Sequence, residues 1–181
     1  FFERLEGVFY AGAALPQSLW ERFEGVARRV RQRPVWFTSA WGATETSPAN
    51  TSVYWQIERA GCIGGPLPGV DLKFVPNAGK LELRVRGPNV FAGYRNAPEL
   101  SAKAFDDEGY YLIGDAGRLV DEAKPERGVA FDGRVAEDFK LMSGTWVSVG
   151  TLRVRAVTAL TPLATDVVVT GHDREEVGLL I

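Results

Sequence analysis

The first 45 residues follow a strand, helix, strand pattern, and this order restricts the fold more than any other feature of the sequence. Residues 8–11 form a short apolar run that stops at Gly12, and residues 35–40 form a second, β-prone run. Pro16 opens a helical segment between the two runs, and Pro34 ends it. Two strands that are joined by a helix usually pair in parallel, so we predict an α/β layer.

Short strand patterns separated by Gly, Pro and Asn turns follow this layer, and they predict a mainly antiparallel, barrel-like unit. Leu81, Leu83 and Val85 alternate with charged residues, which is the pattern of a half-buried strand. The predicted elements of this unit are strands over residues 70–75, 81–86, 110–113, 118–120 and 129–132, and a short helix over residues 98–105.

The pattern changes again after Gly133, where a hairpin-like stretch, a helix and two further strands indicate a small α+β unit. We therefore predict an α/β fold with two domains. Residues 1–132 would form part of a large N-terminal domain, made of the α/β layer (1–50) and the barrel-like subdomain (51–132). Residues 133–181 would be the start of a small C-terminal α+β domain.

Composition argues against several kinds of partner and site. A net charge of −2 gives no reason to expect nucleic acid or an anionic membrane as a partner. No apolar run reaches the roughly 18 residues that a membrane-spanning helix needs. Cys62 and His172 are the only residues of their types, so we expect no intrachain disulfide, no cysteine or multi-histidine metal site and no Ser-His-Asp triad. We expect a cytoplasmic protein.

Four segments place small, polar or acidic residues directly after an apolar strand, where α/β proteins bind ligands. Each segment alone has a structural explanation: Gly12 and Gly42 as turns, Asp115 as a surface acid, and Arg134 as an ion-pair partner. The segments are Tyr10-Ala11-Gly12-Ala13-Ala14-Leu15-Pro16, Trp41-Gly42-Ala43-Thr44-Glu45-Thr46, Tyr111-Leu112-Ile113-Gly114-Asp115, and the stretch from Gly133-Arg134 to Gly144.

In this order and at these separations, the four segments resemble the adenylate-forming family, which includes acyl-CoA synthetases, luciferases and peptide-synthetase adenylation domains. The resemblance implies an AMP-forming acid–CoA ligase that uses ATP, Mg²⁺ and coenzyme A. Trp41 would offer a flat face to adenine, and Glu45 would bind the metal ion. The implied catalytic residues are Thr44, Glu45 and Lys140. The implied nucleotide-binding residues are Gly12, Ala13, Ala14, Trp41, Gly42, Thr44, Asp115 and Arg134.

For the second half-reaction, the resemblance implies that the C-terminal domain rotates about a hinge at Arg134, Ala136 and Glu137. The family usually has Asp or Lys where this chain has Ala136, and Glu137 would take over part of that role. Lys140 would act in this second state. Gly144 would let the pantetheine chain of CoA pass close to the backbone.

Within the family, the stretch from Gly133 to Gly150, with its Thr145-Trp146 pair, looks like the feruloyl-CoA synthetase branch. The resemblance therefore implies ligation of an aromatic acid, a hydroxycinnamic acid such as ferulate, to CoA. Two alternatives remain open. One is a fatty-acyl or other aryl-acid CoA ligase, and the other is a non-catalytic relative that binds a nucleotide or a protein partner.

Two elements of the family pattern are not found in the sequence. The Ser/Thr/Gly-rich phosphate loop does not occur, and the last lysine is Lys140, whereas the family keeps its adenylating lysine near the C-terminus. We therefore expect the chain to be an internal or C-terminal segment of the enzyme that is inactive by itself.

Overall fold

The computed structural model describes residues 1–77 and 79–181, and within these residues an eight-stranded sheet forms the centre of the protein. From one edge to the other, the strands follow the order β1, β2, β3, β4, β8, β7, β6, β5. The strands are β1 (Gly7–Tyr10), β2 (Trp36–Trp41), β3 (Thr51–Ser52), β4 (Cys62–Pro66), β5 (Asp71–Asn77), β6 (Lys80–Arg86), β7 (Tyr111–Leu119) and β8 (Val129–Arg134).

The predicted strand, helix, strand layer is confirmed at the first edge of the sheet. Strands β1 and β2 pair in parallel, and helix α1 (Gln17–Arg31) connects them. The buried side chain of Trp20 packs edge-on against Phe37, with ring centroids 5.3 Å apart. Val35 and Ala27 are fully buried in the same cluster. The face of α1 that carries Trp20, Phe23 and Ala27 thus covers the parallel strands, whereas Leu19 and Val30, which the periodicity predicts on the buried face, are exposed.

The antiparallel unit is continuous with this layer, because β3 pairs antiparallel with both β2 and β4. The result is a mixed α/β fold with one large mixed sheet. Its second core contains fully buried Leu83 and Val85 together with Tyr111, Ile113 and Val129. Helix α2 (Pro98–Lys103) precedes β7 and is shorter than predicted.

Two sequence predictions for this unit are wrong in detail. The strands predicted at 110–113 and 118–120 are one strand, β7, which passes through Gly114 at a φ of +79°. The pairing of β6 with β7 shifts register there, and a bulge of this kind lets one strand continue through a glycine. Glu82 is also buried rather than exposed, because Asn77 and Arg84 donate hydrogen bonds to its carboxylate.

A smaller group of elements follows β8. Helix α3 (Val149–Leu160) packs through Ala156 on a separate small core with Ala164 and Val167. None of the helices in the described part of the chain combines the length and hydrophobicity that crossing a bilayer requires. The elements are β9 (Phe139–Lys140), β10 (Trp146–Val147), α3 (Val149–Leu160), β11 (Val168–Thr170) and β12 (Gly178–Leu180).

A buried ion pair connects this group to the large sheet. Lys80 Nζ lies 2.5 Å from Asp138 Oδ2, and the two side chains are 9% and 4% exposed. The other carboxylate oxygen of Asp138 accepts the backbone N–H of Val149, the first residue of α3. Gly133 and Gly150 pack backbone to backbone beside the pair. We refer to Lys80, Asp138 and Val149 as the clasp.

Candidate functional site

The first two segments that the sequence singles out lie where strands β1 and β2 end. Because β1 and β2 run in parallel, their carboxyl ends meet there, and residues 11–14 and 42–46 follow them. Gly12, Ala13 and Ala14 are exposed, and Gly12 adopts a left-handed φ of +78°. A side chain on Gly12 would meet no atom within 4 Å, so the space above this turn is open.

The loop after β2 is tightly closed. The N–H of Asn50 donates to the carbonyl of Trp41 at 2.7 Å, and a Cβ on Gly42 would overlap the carbonyl oxygen of Pro48. The buried Thr46 hydroxyl accepts the N–H of Ala43 at 2.9 Å and is therefore occupied inside the loop. Gly42 has a structural role here, because the closed loop leaves no room for a side chain.

The outer part of the same loop carries Thr44 and Glu45. Thr44 is exposed, and its hydroxyl has no hydrogen-bond partner among the described residues. One carboxylate oxygen of Glu45 accepts the hydroxyl of Tyr94 at 3.0 Å. The closed loop thus presents a free hydroxyl and an oriented carboxylate side by side.

A second loop, residues 87–94, holds the first one in place. The side-chain amide of Asn89 donates to the carbonyls of Thr46 and Ala49, both at 2.9 Å. The N–H of Phe91 donates to the carbonyl of Glu45 at 2.8 Å. Neither Asn89 nor Tyr94 is among the site residues predicted from the sequence. Tyr94 could have been selected from its sequence context, because it is an aromatic residue beside Gly93 in a loop without strand or helix periodicity.

The tyrosine of the third segment extends this hydrogen-bond system. Burial raises the pKa of Tyr111, and the hydrogen bond with Tyr94 and the nearby charge of Glu45 raise the pKa further. The Tyr111 hydroxyl therefore stays protonated across the physiological range. The neutral Tyr111 hydroxyl thus lies near the Glu45 carboxylate.

The strongest link between segments joins Trp41, Asp115 and Arg134. The indole Nε1–H of Trp41 donates to Asp115 Oδ2 at 2.8 Å. Arg134, paired in register with Asp115 across β7 and β8, places its Nε 3.1 Å from Oδ1. The N–H of Arg134 is not aligned with that oxygen, so Oδ1 is a buried acceptor without a hydrogen bond among the described residues.

Burial raises the pKa of Asp115, the hydrogen bond from Trp41 and the charge of Arg134 oppose that shift, and the charge of Glu137 adds to it. The residue is 6% exposed, whereas the side chain of Arg134 is 56% exposed. A buried acceptor with an unused lone pair favours a ligand hydroxyl, because an unpaired buried oxygen is costly.

Trp41 itself is 7% exposed, and its ring belongs to the core that contains Ile63 and Tyr111. The family resemblance implies that its flat face contacts adenine. In the structure the ring is buried, and its polar edge donates to Asp115. The adenine-stacking role stays a prediction, and the hydrogen bond to Asp115 is the observed contact of the indole edge.

The remaining predicted residues lie after β8. Ala136 and Glu137 form a single 3-10 turn directly after Arg134, and both are exposed. Lys140 stands 4.9 Å from the ring centroid of Trp146 across the β9–β10 hairpin, and Gly144 lies exposed at the hairpin turn with a φ of +82°. Within residues 1–77 and 79–181, no hydrogen bond or ion pair joins these four residues to Glu45.

The metal-binding potential rests on few groups. In the described part of the chain, no cluster of three or more His, Cys, Asp and Glu side chains could hold a metal ion. Glu45 is a single, partly exposed carboxylate. It fits Mg²⁺, which commonly binds one or two carboxylates together with substrate phosphates and water.

Comparisons with known proteins give a consistent result. The family model described as "AMP-binding enzyme" matches residues 2–95. A probable acyl-activating enzyme from Arabidopsis thaliana chloroplasts is 25% identical over 94% of this chain and 24% of its own length. The medium-chain fatty-acid–CoA ligase of Escherichia coli strain K12 is 41% identical over 54% of this chain and 19% of its own length.

A solved structure agrees with these relatives. A malonyl-CoA ligase, in a ternary product complex with methylmalonyl-CoA and AMP, is 33% identical and has a TM-score of 0.58. The match covers 96% of this chain and 36% of that one. The chain thus spans about a quarter or less of the two curated relatives.

Proposed function

The chain belongs to the AMP-binding enzyme family, and on this premise we propose that it supplies the ribose-binding and phosphate-binding part of an AMP-forming carboxylate–CoA ligase. One observation carries the proposal. Asp115 is a buried carboxylate whose Oδ1 receives no hydrogen bond from residues 1–77 and 79–181, beside the exposed guanidinium of Arg134. Ribose hydroxyls are donors of the kind that such an oxygen lacks.

The proposed roles follow the observed geometry. Asp115 accepts the ribose hydroxyls, and Arg134 adds a charged donor from the solvent side. Thr44 donates its free hydroxyl to a phosphate, and the open backbone turn at Gly12, Ala13 and Ala14 leaves room for the acyl and nucleotide groups. Glu45 would bind Mg²⁺, whose positive charge would compensate the phosphate charge.

In this reaction the substrate carboxylate attacks the α-phosphorus of ATP and pyrophosphate leaves, which gives an acyl-adenylate. The thiol of CoA then attacks the acyl carbon and releases AMP. The chain's own residues contribute positioning and charge compensation rather than a covalent step. Lys140 and Gly144 would face CoA in the second half-reaction, after rotation about Arg134, Ala136 and Glu137, and this part rests on the family resemblance.

The identity of the carboxylic acid substrate is the most specific part of the proposal. We propose a hydroxycinnamic acid such as ferulate, because the residues around Thr145 and Trp146 resemble the feruloyl-CoA synthetase branch. A fatty acid is a second candidate, since the E. coli relative with 41% identity is named a medium-chain fatty-acid–CoA ligase. The open turn at Gly12 is compatible with either acid.

The test uses the natural full-length protein that carries this chain. It is incubated with ATP, Mg²⁺, CoA and equal concentrations of ferulate, benzoate or octanoate, and AMP and CoA thioester are measured. Preference for octanoate would reject a hydroxycinnamic acid as the substrate but would remain consistent with an AMP-forming CoA ligase. Formation of ADP instead of AMP would reject the proposed reaction.

A matched pair of variants tests the site itself. Asp115→Asn retains shape but removes the charge that holds the ribose, so the KM for ATP should rise about tenfold or more. Asp132→Asn is the control, because Asp132 lies on the neighbouring strand β8 and makes no contact with Trp41 or Asp115 among the described hydrogen bonds. An unchanged KM in a folded Asp115→Asn protein would remove Asp115 from the nucleotide site.

A further inference from the structure

Trp41 approaches Asp115 with its polar edge. The N–H···O distance of 2.8 Å is that of a well-formed, charge-assisted hydrogen bond. The indole is 7% exposed and belongs to the core that also contains Ile63 and Tyr111, and this burial restricts the direction of the N–H. A donor that is fixed in this way can orient the group that accepts from it.

The two oxygens of Asp115 therefore have different surroundings. Oδ2 is occupied by the indole N–H, whereas Oδ1 has no aligned donor among the described residues. The charged groups near the carboxylate are Arg134, which favours its ionised form, and Glu137, which disfavours it. Without the indole donor, the buried carboxylate would lose a main interaction that offsets its burial, and it could rotate toward Arg134.

We propose that Trp41 is a positioning residue, whose indole N–H holds Asp115 Oδ2 so that Oδ1 is presented as the acceptor for the ribose hydroxyls. This proposal rests on the proposed function of Asp115. It assigns the edge of Trp41, and not its flat face, to nucleotide binding. The two roles differ in a measurable way, because stacking recognises adenine and positioning recognises ribose.

The experiment compares AMP with 2′,3′-dideoxy-AMP, which lacks both ribose hydroxyls, on the natural full-length protein. In the wild type we expect AMP to bind about tenfold or more tightly than the dideoxy analogue. In Trp41→Phe, which keeps an aromatic face but removes the donor, the preference should fall to within about twofold. Trp36→Phe is the matched control on the same strand, since among the described residues the Trp36 indole donates to the carbonyl of Trp55 alone. It should keep the wild-type ratio.

The outcomes separate the two proposals. If the wild type prefers AMP and Trp41→Phe keeps that preference, the positioning role is rejected and the nucleotide site stands. If the wild type binds AMP no better than the dideoxy analogue, the proposed function of Asp115 falls, and the role of Trp41 falls with it. If Trp41→Phe weakens the binding of AMP and of the dideoxy analogue equally, the indole stacks on adenine, and the inference is also overturned.

A second measurement is available if Trp41→Phe does not fold. In the wild type, the indole N–H resonance of Trp41 should be protected from solvent exchange. In Asp115→Asn it should shift upfield and exchange faster, because a neutral amide oxygen is a weaker acceptor than a carboxylate. An indole resonance that is identical in both proteins would overturn the inference.

Discussion

Replacement of Lys80 by Met should destabilise the protein strongly, because it leaves the Asp138 carboxylate buried without its cation. Both side chains are about nine-tenths buried or more, so solvent screens the pair little. Removal of one partner of a buried ion pair typically costs about 3–5 kcal/mol. The remaining hydrogen bond from the Val149 N–H does not compensate a full charge, and we expect a loss of about 3 kcal/mol.

The measurement is equilibrium urea unfolding of wild type, Lys80→Met, Asp138→Asn and the double variant, followed by far-UV circular dichroism and tryptophan fluorescence. Asp138→Asn keeps an oxygen for the Val149 N–H and removes only the charge. In its background, Lys80→Met should cost at least about 1 kcal/mol less than in the wild type, since the buried charge is already gone. Lys103→Met, at an exposed position on α2, is the control and should leave the midpoint nearly unchanged.

Two results would refute this reasoning. One is a loss below about 1 kcal/mol in Lys80→Met, which is the size of an exposed ion pair. The other is an equal loss in the presence and absence of the Asp138 charge. Either would mean that the clasp is an incidental contact between the sheet and α3.

Further predictions concern three other sites. Burial alone would raise the pKa of Asp106, but hydrogen bonds from Lys73, the Tyr110 N–H and Arg84 outweigh it and lower the pKa well below its usual range. The ionised carboxylate therefore stabilises the fold above about pH 4, and that contribution is lost as the pH falls. The urea midpoint of Asp106→Asn should consequently depend less on pH than the midpoint of the wild type between about pH 5 and pH 3. Gly42→Ala should cost about 1–3 kcal/mol because its Cβ overlaps the closed loop, and a stability equal to the wild type would contradict that geometry. Tyr94→Phe removes the donor to the Glu45 carboxylate, so the natural full-length protein should need more Mg²⁺ for half-maximal adenylation; an unchanged Mg²⁺ dependence would argue against a positioning role.

The strand, helix, strand layer could be predicted from the sequence because its signals are local. The apolar runs of β1 and β2 and the amphipathic helix between them each depend on side chains within a few residues. The boundaries of β7 could not be predicted, because Gly114 looks like a strand end in a linear pattern. The pairing with β6 shows that β7 continues past this glycine through a β-bulge, and that pairing is not visible in the linear sequence.

The candidate site shows the same division between local and long-range information. Asp115 and Arg134 stand out by their position after a strand, but their pairing across β7 and β8 is a property of register. The donor edge of Trp41 could not be inferred, since 74 positions separate it from Asp115 and its sequence context indicates only an aromatic residue beside a glycine. Tyr94 lies 49 positions from Glu45, and no periodic pattern connects them.

The position of β4 in the sheet has a consequence for biosynthesis. This strand lies between β3, which is made just before it, and β8, which leaves the ribosome much later. Strands β5 to β8 can form their hydrogen-bonded pairs one after another as they emerge, since each strand pairs with the next. Until β8 arrives, however, β4 presents an unpaired edge, and such edges recruit strands from other chains. Gly64 lies on this edge, opposite Val129 of β8 in the finished sheet, and a glycine there makes the edge a poorer template for such pairing during translation.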